Sequence, residues 1–308
     1  MPATTDNAAE RFLIRNPHFG GKIMLQAEGM IDLQAMNAQT IDAAGIPALG
    51  HAEAGAMARA ELDRFLAVVE ALSGDDWQQP TDCTEWTVGD ILAHQAGAYA
   101  GFTSWREFKR QMSAKPAPGK MQVDALNARQ IADRAGRSPA QLIAELREAG
   151  PKGIRTRQRL PWLLRKLRIP FGPPLGTVAV AYLTDLIYPR DTWMHRVDIC
   201  RATGQKFGQN AEHDGRITAL VVRDLARKLN GRLSGQSVIF DLSGAAGGRY
   251  HIGSTDEPSA VIHMDVLEFH RLTSDRVTPA QAKAQGLLTV SGDRGFADKV
   301  LAQTSVPY

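Results

Sequence analysis

The apolar residues of this chain change their period near Gly204, and that change constrains the fold more than any other feature. From Met57 onward, Leu62, Phe65, Leu66, Val69 and Leu72 recur at helical spacing until Ser73-Gly74 interrupts them. Beyond Gly204 the runs shorten to Ser237-Val238-Ile239-Phe240-Asp241-Leu242, Arg249-Tyr250-His251-Ile252 and Ala260-Val261-Ile262-His263-Met264, set apart by glycines at 244, 247 and 248 and by Asp256-Glu257-Pro258. A 3.6-residue period buries one stripe of a helix, whereas short runs between turn residues read as strands. The first part is therefore expected to be helical and the last third to mix helix and strand, an α+β class. At 308 residues the chain exceeds the roughly 250 at which a single core stops growing, so two cores are expected.

Local punctuation sets the boundaries. Thr87, with Asp90 three residues on, predicts the start of a second helix over about 88–112. A shorter helical pair is expected over about 122–150, its second member opened by Ser138-Pro139 as cap and first residue. Residues 150–176, rich in Pro, Gly and Arg, read as a long loop, and a helix over about 177–203 ends at Gly204. These four principal helices suit a small bundle. A helix over about 212–230 then leads to the three apolar runs, which look like adjacent strands of a meander. Helices are expected again at about 265–274, 279–285 and 296–302, with a short strand at 287–290. Asn16-Pro17, Gly20-Gly21 and Gly50 break any sustained period near the N-terminus. Residues 1–50 are thus expected to be a loosely packed or partly disordered extension, 51–205 the bundle and 206–308 the α+β domain, with Met57 a candidate alternative start.

Composition narrows the function classes. Hydrophobic residues make up 44% and charged residues 22%, ordinary for a globular chain. No apolar run reaches the roughly 18 residues of a membrane span, and the N-terminus lacks a basic-then-apolar export signal. Cys83 and Cys200 are the two cysteines, far apart and outside any C-x-x-C pair, which excludes a disulfide framework and fits a reducing cytoplasm. The net charge of +3 does not mark a nucleic-acid binder. Arg147, Lys152, Arg155, Arg157, Arg159, Arg165, Lys166 and Arg168 nevertheless crowd one stretch against Glu148 alone. Such a run can meet nucleic acid or anionic lipid, but reads more simply as a solvated face; we take it as a candidate lid over an anionic substrate.

Asp191 and His195 lie four residues apart on one expected helix, so they share a face, and Asp198 continues it. His94 sits mid-helix beside Ile91, Leu92 and Ala93, where a bundle interior would bring it opposite that face. Two imidazoles and a carboxylate would leave open positions on an ion, the arrangement of a catalytic site. Spacing alone favours the plainer alternatives: a surface ion pair for Asp191 with His195, and a hydrogen-bonded core residue for His94. A second cluster of His251, His263 and His270 with Asp265 or Glu268 is weaker, because strand spacing does not force it. His18, His51 and His213 fall in or beside expected loops. Cys83, near Trp86, is either a reactive thiolate or inert packing.

Two stretches carry a resemblance. Asp76-Trp77, Pro80-Thr81-Asp82-Cys83, Trp86-Thr87-Val88 and Ile91-Leu92-Ala93-His94 together resemble the N-terminal signature of the mycothiol-dependent maleylpyruvate isomerase family. Asp191-Thr192-Trp193-Met194-His195-Arg196-Val197-Asp198 resembles its second signature. The resemblance implies a DinB-like four-helix bundle followed by a small domain related to sterol carrier proteins, and covers about residues 57–304. It also implies a metal held by two histidines and an acidic residue four positions before the second, hence His94, Asp191 and His195. This chain departs from the family in carrying Asp at that position, where Glu is typical. The lost methylene shortens the carboxylate's reach, and Asp198 is the reserve ligand or a partner orienting one.

The implied cofactors are a divalent metal, commonly zinc, and a low-molecular-weight thiol such as mycothiol, which the metal would deprotonate. The implied activity is isomerisation by reversible addition of the thiol to an activated cis double bond, or S-transfer to an electrophile. A small-molecule electrophile and the thiol are then the partners, with no nucleic acid and no membrane span. Trp86, Trp193 and Trp162 are candidate cavity walls, and Arg196 or the basic stretch a candidate receiver of a carboxylate; no residue is assigned a catalytic step. Two other readings stand beside this one: a binding protein for a small apolar ligand, which requires an apolar cavity under the strands, and a metal-dependent hydrolase, which requires no thiol.

Overall fold

The computed structural model describes residues 39–172 and 176–308. Helix α1 (His51–Glu70) buries Ala54, Met57, Ala58, Leu62, Phe65 and Val69, one stripe at spacings of three and four. It starts earlier than Met57 because the Glu53 carboxylate turns back 3.1 Å to the Gly50 N–H. Helix α2 (Val88–Ala100) opens with Thr87 and Asp90 capping one another: Asp90 N donates to Thr87 Oγ1 at 3.2 Å and Thr87 N to the Asp90 carboxylate at 2.9 Å. All of α2 from Ile91 to Ala100 is buried, which makes it the central helix. It does not continue to 112; Ser104 caps a separate helix α3 (Trp105–Met112) by accepting from Glu107 N.

Helices α4 (Gln122–Ala132) and α5 (Pro139–Gln158) follow, the latter capped by Ser138 as expected. Helix α5 runs on through Pro151 instead of stopping at Gly150. Pro151 and Arg147, whose carbonyl loses its partner, both lie on the exposed face where water can replace the bond. Gly150 packs so closely on Leu62 that a Cβ there would come within 2.5 Å of it, so tertiary packing holds the segment helical. Residues 159–172 and 176–180 likewise hold regular structure: a short helix α6 (Trp162–Lys166) and the paired strands β2 (Arg168–Gly172) and β3 (Gly176–Ala179). A π-helical turn over Tyr182–Ile187 leads into α7 (Tyr188–Thr203), which ends at Gly204 in the left-handed conformation, φ 68°. Helices α1, α2, α5 and α7 form the four-helix bundle, with Phe65, Ile91, Leu92 and Leu146 fully enclosed. Each such side chain contributes about 1.5–3 kcal/mol over its exposed state.

Past α8 (His213–Leu229) come β4 (Ser237–Ser243), β5 (Gly248–Gly253) and β6 (Ala260–Asp265), then α9 (Val266–Thr273), α10 (Pro279–Ala284), β7 (Leu288–Gly292) and α11 (Arg294–Leu301). The strands are not a meander. With β1 at Thr40–Asp42, the sheet order is β1-β5-β4-β6-β7, and β6 is parallel to β4. The unbroken apolar run Val238-Ile239-Phe240 marks β4 as a central strand, so both its edges must be paired. The outer edge of β5 is taken by β1 (Thr40–Asp42), parallel to it. Ala43 and Ile46 join the same core, so the end of the expected extension is an integral edge of the sheet; residues 1–38 lie outside the described residues. A seam of Met57, Leu186, Trp193, Met194 and Val197 with Ile217 and Leu220 joins the bundle to α8.

Candidate metal centre

The three candidate ligands come from two facing helices. His94 on α2 and Asp191 and His195 on α7 present donor atoms that all lie within 4.8 Å of one another. His94 Nε2 is 3.2 Å from one Asp191 oxygen and His195 Nε2 is 3.3 Å from the other. One aspartate thus spans both imidazoles, so the shorter side chain reaches far enough. Asp191 also accepts from Gln95 Nε2 at 2.7 Å, and Gln95 Oε1 accepts from Thr192 at 2.8 Å.

The far nitrogens of both rings are tied off, which decides their tautomers. The Gly97 carbonyl can only accept, so the Gln111 nitrogen donates to it at 2.9 Å and Gln111 Oε1 must accept from Gln130 Nε2 at 2.9 Å. Gln130 Oε1 is thereby turned to His94 Nδ1, 2.8 Å away, and takes its proton. His195 Nδ1 donates to Asp198 at 2.9 Å. Each ring is left with Nε2 as the nitrogen that faces Asp191, the one a cation would take in place of a proton.

Asp198 is buried and gripped through both oxygens by Arg276, at 2.6 and 2.7 Å. Burial, which would raise the Asp198 carboxyl, is outweighed by Arg276 and His195, which hold it below its ordinary value. At Asp191 burial is again outweighed, here by His195 and His94, and the group lies well below the usual carboxylate range. Burial should lower His195, yet Asp191, Asp198 and Cys83 raise it well above the ordinary imidazole value. A cation taking Nε2 of His195 would have to displace that ring's proton.

A tight loop forms the wall. Thr81 N donates to the Trp86 carbonyl at 3.2 Å and Trp86 N to the Cys83 carbonyl at 2.7 Å. The turn lays the Trp86 ring 5.0 Å from His94 and 5.5 Å from His195, centroid to centroid. It also sets Cys83 Sγ 3.2 Å from an Arg276 nitrogen and 3.6 Å from Asp198. Cys83, His195 and Asp198 form a second trio of donor atoms within 4.8 Å, overlapping the first.

Other candidates fall elsewhere. Trp193 is buried with its N–H on Asp214 at 2.8 Å, and Trp162 is 63% exposed, so neither walls the centre. Arg196 receives no substrate carboxylate: it is buried against Glu61 at 2.7 Å and Asp214 at 2.9 Å. His213 joins that network through Glu61 at 2.8 Å, and His51 rests on Asp185 at 3.3 Å. The second histidine cluster does not assemble: His270 is buried between Thr218 and Tyr308, His263 contacts Asp241, and His251 bonds the Thr255 carbonyl. His18 lies outside the described residues. Arg157, counted in the basic run, is 1% exposed and enclosed by Tyr99, Phe102 and Tyr188, its two terminal nitrogens without a hydrogen-bond partner.

Sequence reasoning missed Gln95, Gln130 and Arg276. Gln130 left a faint signal, an uncharged polar residue on the inner face of α4; Arg276 left none, because it arrives from a loop far along the chain.

Comparison with known proteins agrees with this architecture. Residues 58–200 match the family described as mycothiol maleylpyruvate isomerase N-terminal domain. Uncharacterized proteins from two strains of Mycobacterium tuberculosis are each 28% identical over 157 residues, 47% of this chain and 54% of theirs. The chain thus spans about half the length of the curated relatives it matches. Crystal structures of mycothiol-dependent maleylpyruvate isomerase and of a mutant of it superpose with a TM-score of 0.52 at 14% identity, over 79% of this chain and 93% of theirs. That likeness establishes the fold. All three candidate ligands lie within residues 58–200, the part that is similar to the mycothiol maleylpyruvate isomerase N-terminal domain family.

Proposed function

We propose that the protein is a metal- and thiol-dependent isomerase or S-transferase of the maleylpyruvate isomerase type, with His94, Asp191 and His195 as the metal ligands. The observation that carries this reading is the convergence of two Nε2 atoms on one carboxylate, with both Nδ1 atoms tied off behind them. Two imidazoles and a carboxylate suit zinc or a similar divalent ion and leave positions free for other groups. Such an ion would supply Lewis acidity, lowering the pKa of a low-molecular-weight thiol so that it can add to an electrophile at neutral pH. Mycothiol is the thiol that the family resemblance suggests, and a cytoplasmic location accords with it.

The chain's own residues would do the rest. Gln130 and Asp198 hold the imidazoles in register, Gln95 keeps Asp191 from rotating, and Trp86 shields the imidazole pair from water. We assign residues 51–205 to the metal-binding part and 206–308 to a part that contributes Arg276 behind His195. An apolar-ligand carrier is disfavoured, because Val238, Phe240, Leu242, Tyr250, Ile252 and Phe269 fill the inner face of the sheet.

Elemental analysis of untagged protein beside His195→Ala and Asp191→Ala tests the centre. About one divalent ion per chain, lost in both variants, is expected; wild type that stays metal-free after reconstitution would rule the centre out. Turnover of an activated cis alkene only with added thiol is expected next, and hydrolysis without thiol would favour the metal hydrolase instead.

A further inference from the structure

Between Glu148 and Asp185 the sequence holds seven cations, Lys152, Arg155, Arg157, Arg159, Arg165, Lys166 and Arg168, and no carboxylate. The fold turns two of these inward. Arg157 enters its aromatic cage, and Arg165 forks onto Asp185 at 2.9 and 2.5 Å. That second pairing clamps α6 to the π-helical turn by one side chain and leaves its neighbours outside. Trp162 is 63% exposed, Leu163 65%, Leu164 50% and Leu167 54%. Lys166 lies over the Trp162 ring, 4.8 Å from its centroid. Arg155 and Arg159, four residues apart and so on one face of α5 at its end, are exposed and have no carboxylate partner among the described residues.

Four large apolar side chains held out into water, interleaved with cations, are costly for a face that meets only solvent. We infer that the α6 ridge is a docking surface for an anionic lipid bilayer, on which the protein rests without crossing it. The leucines and Trp162 would enter the boundary between headgroups and acyl chains, while Arg159, Lys166 and Arg168 lie against the phosphates. Two competing occupants fit less well. Nucleic acid would use the cations and one aromatic ring but gives no role to three exposed leucines. A two-fold contact with a second copy would bring the same cations face to face. Among the described residues no helix is long and apolar enough to cross a membrane, so the contact is peripheral. The metal centre plays no part in this inference.

Flotation of the full chain with vesicles tests it. The protein is expected to float with vesicles of phosphatidylcholine mixed with phosphatidylglycerol, to stay behind with phosphatidylcholine alone, and to be released by salt. Leu163→Ser/Leu164→Ser should weaken binding by roughly tenfold or more, and Arg159→Glu/Lys166→Glu by at least roughly fivefold per position. All four side chains are on the surface, so both variants should keep the wild-type circular dichroism. Failure to float with the mixed vesicles would overturn the inference, as would undiminished flotation of the leucine variant. So would a solution dimer, or retention on DNA, that the leucine variant abolishes while wild type does not float.

Discussion

Asp198 stands 2.9 Å from Nδ1 of His195, behind the ring and opposite Asp191. A carboxylate there fixes the tautomer, aims the ring and raises the basicity of Nε2, and the loss of such a partner typically costs 10- to 100-fold in metal affinity. Asp198→Asn keeps an acceptor but loses the charge, and should weaken metal binding by about tenfold; Asp198→Ala should approach 100-fold. Competition against a chromophoric chelator measures both. Unchanged affinity would reduce Asp198 to a structural partner of Arg276.

Gly97 matters for a different reason, the close approach of α2 and α4. A Cβ on it would sit 2.6 Å from the Gln130 Cβ, so Gly97→Ala must push α4 outward and draw Gln130 off His94. A stability loss of about 1–3 kcal/mol is expected, with weaker metal binding. In Gln130→Leu the same weakening of metal binding should appear without the backbone shift, and normal metal affinity in both variants would argue against the amide relay.

Trp86 is the tryptophan whose ring touches both candidate ligand imidazoles. Cobalt(II), an open-shell ion, should quench its fluorescence on binding, and Trp86→Phe should remove most of that quenching at equal occupancy. Quenching that persists in the variant would place the ion elsewhere.

Glu61 and Arg196 form a buried pair, 0% and 3% exposed, that ties α1 to α7 and, through Asp214, to α8. Removing Glu61 leaves Arg196 with Asp214 and takes a carboxylate from His213 as well. Because Asp214 still compensates Arg196, Glu61→Ala should lose about 3 kcal/mol in urea unfolding, the low end for a broken buried pair, with metal stoichiometry unchanged in the protein that remains folded.

His270 predicts a pH dependence. Burial, reinforced by the nearby Arg190 charge, holds it well below the ordinary 6.5, so the native state keeps it neutral. Above about pH 6.5 neither state is protonated and this group adds no slope. As pH falls below that, the unfolded chain binds a proton that the folded one refuses, and stability drops by at most about 1.4 kcal/mol per pH unit until the folded pKa is reached. His270→Gln, which can still bond Thr218 and Tyr308, should flatten that part of the difference in urea midpoints between pH 7.5 and 5.5. An identical slope in variant and wild type would show that other groups govern it.

Sequence-local physics accounts for a good part of the molecule. The caps at Thr87 and Ser138, the stop at Gly204 and the helical register of Asp191 and His195 are set by neighbours within four residues. The α+β change after Gly204 follows from the period of the apolar residues. The pairing of β6 with β4, the persistence of α5 through Pro151 and the pairing of β2 with β3 depend on contacts between distant segments, which no local pattern carries. The same division runs through the candidate metal centre. His94, Asp191 and His195 were legible from a motif and a spacing, while the relay from Gly97 through Gln111 to Gln130, the grip of Arg276 on Asp198 and the burial of Arg157 were not. Side-chain hydrogen bonds between helices depend on how closely those helices approach, and that distance is decided by packing: by Gly97 against Gln130 and Gly150 against Leu62. The sequence by itself thus determined which residues can act as ligands and on which elements they ride; only the tertiary structure decided which nitrogen of each ring faces the centre and which charges are left to meet water.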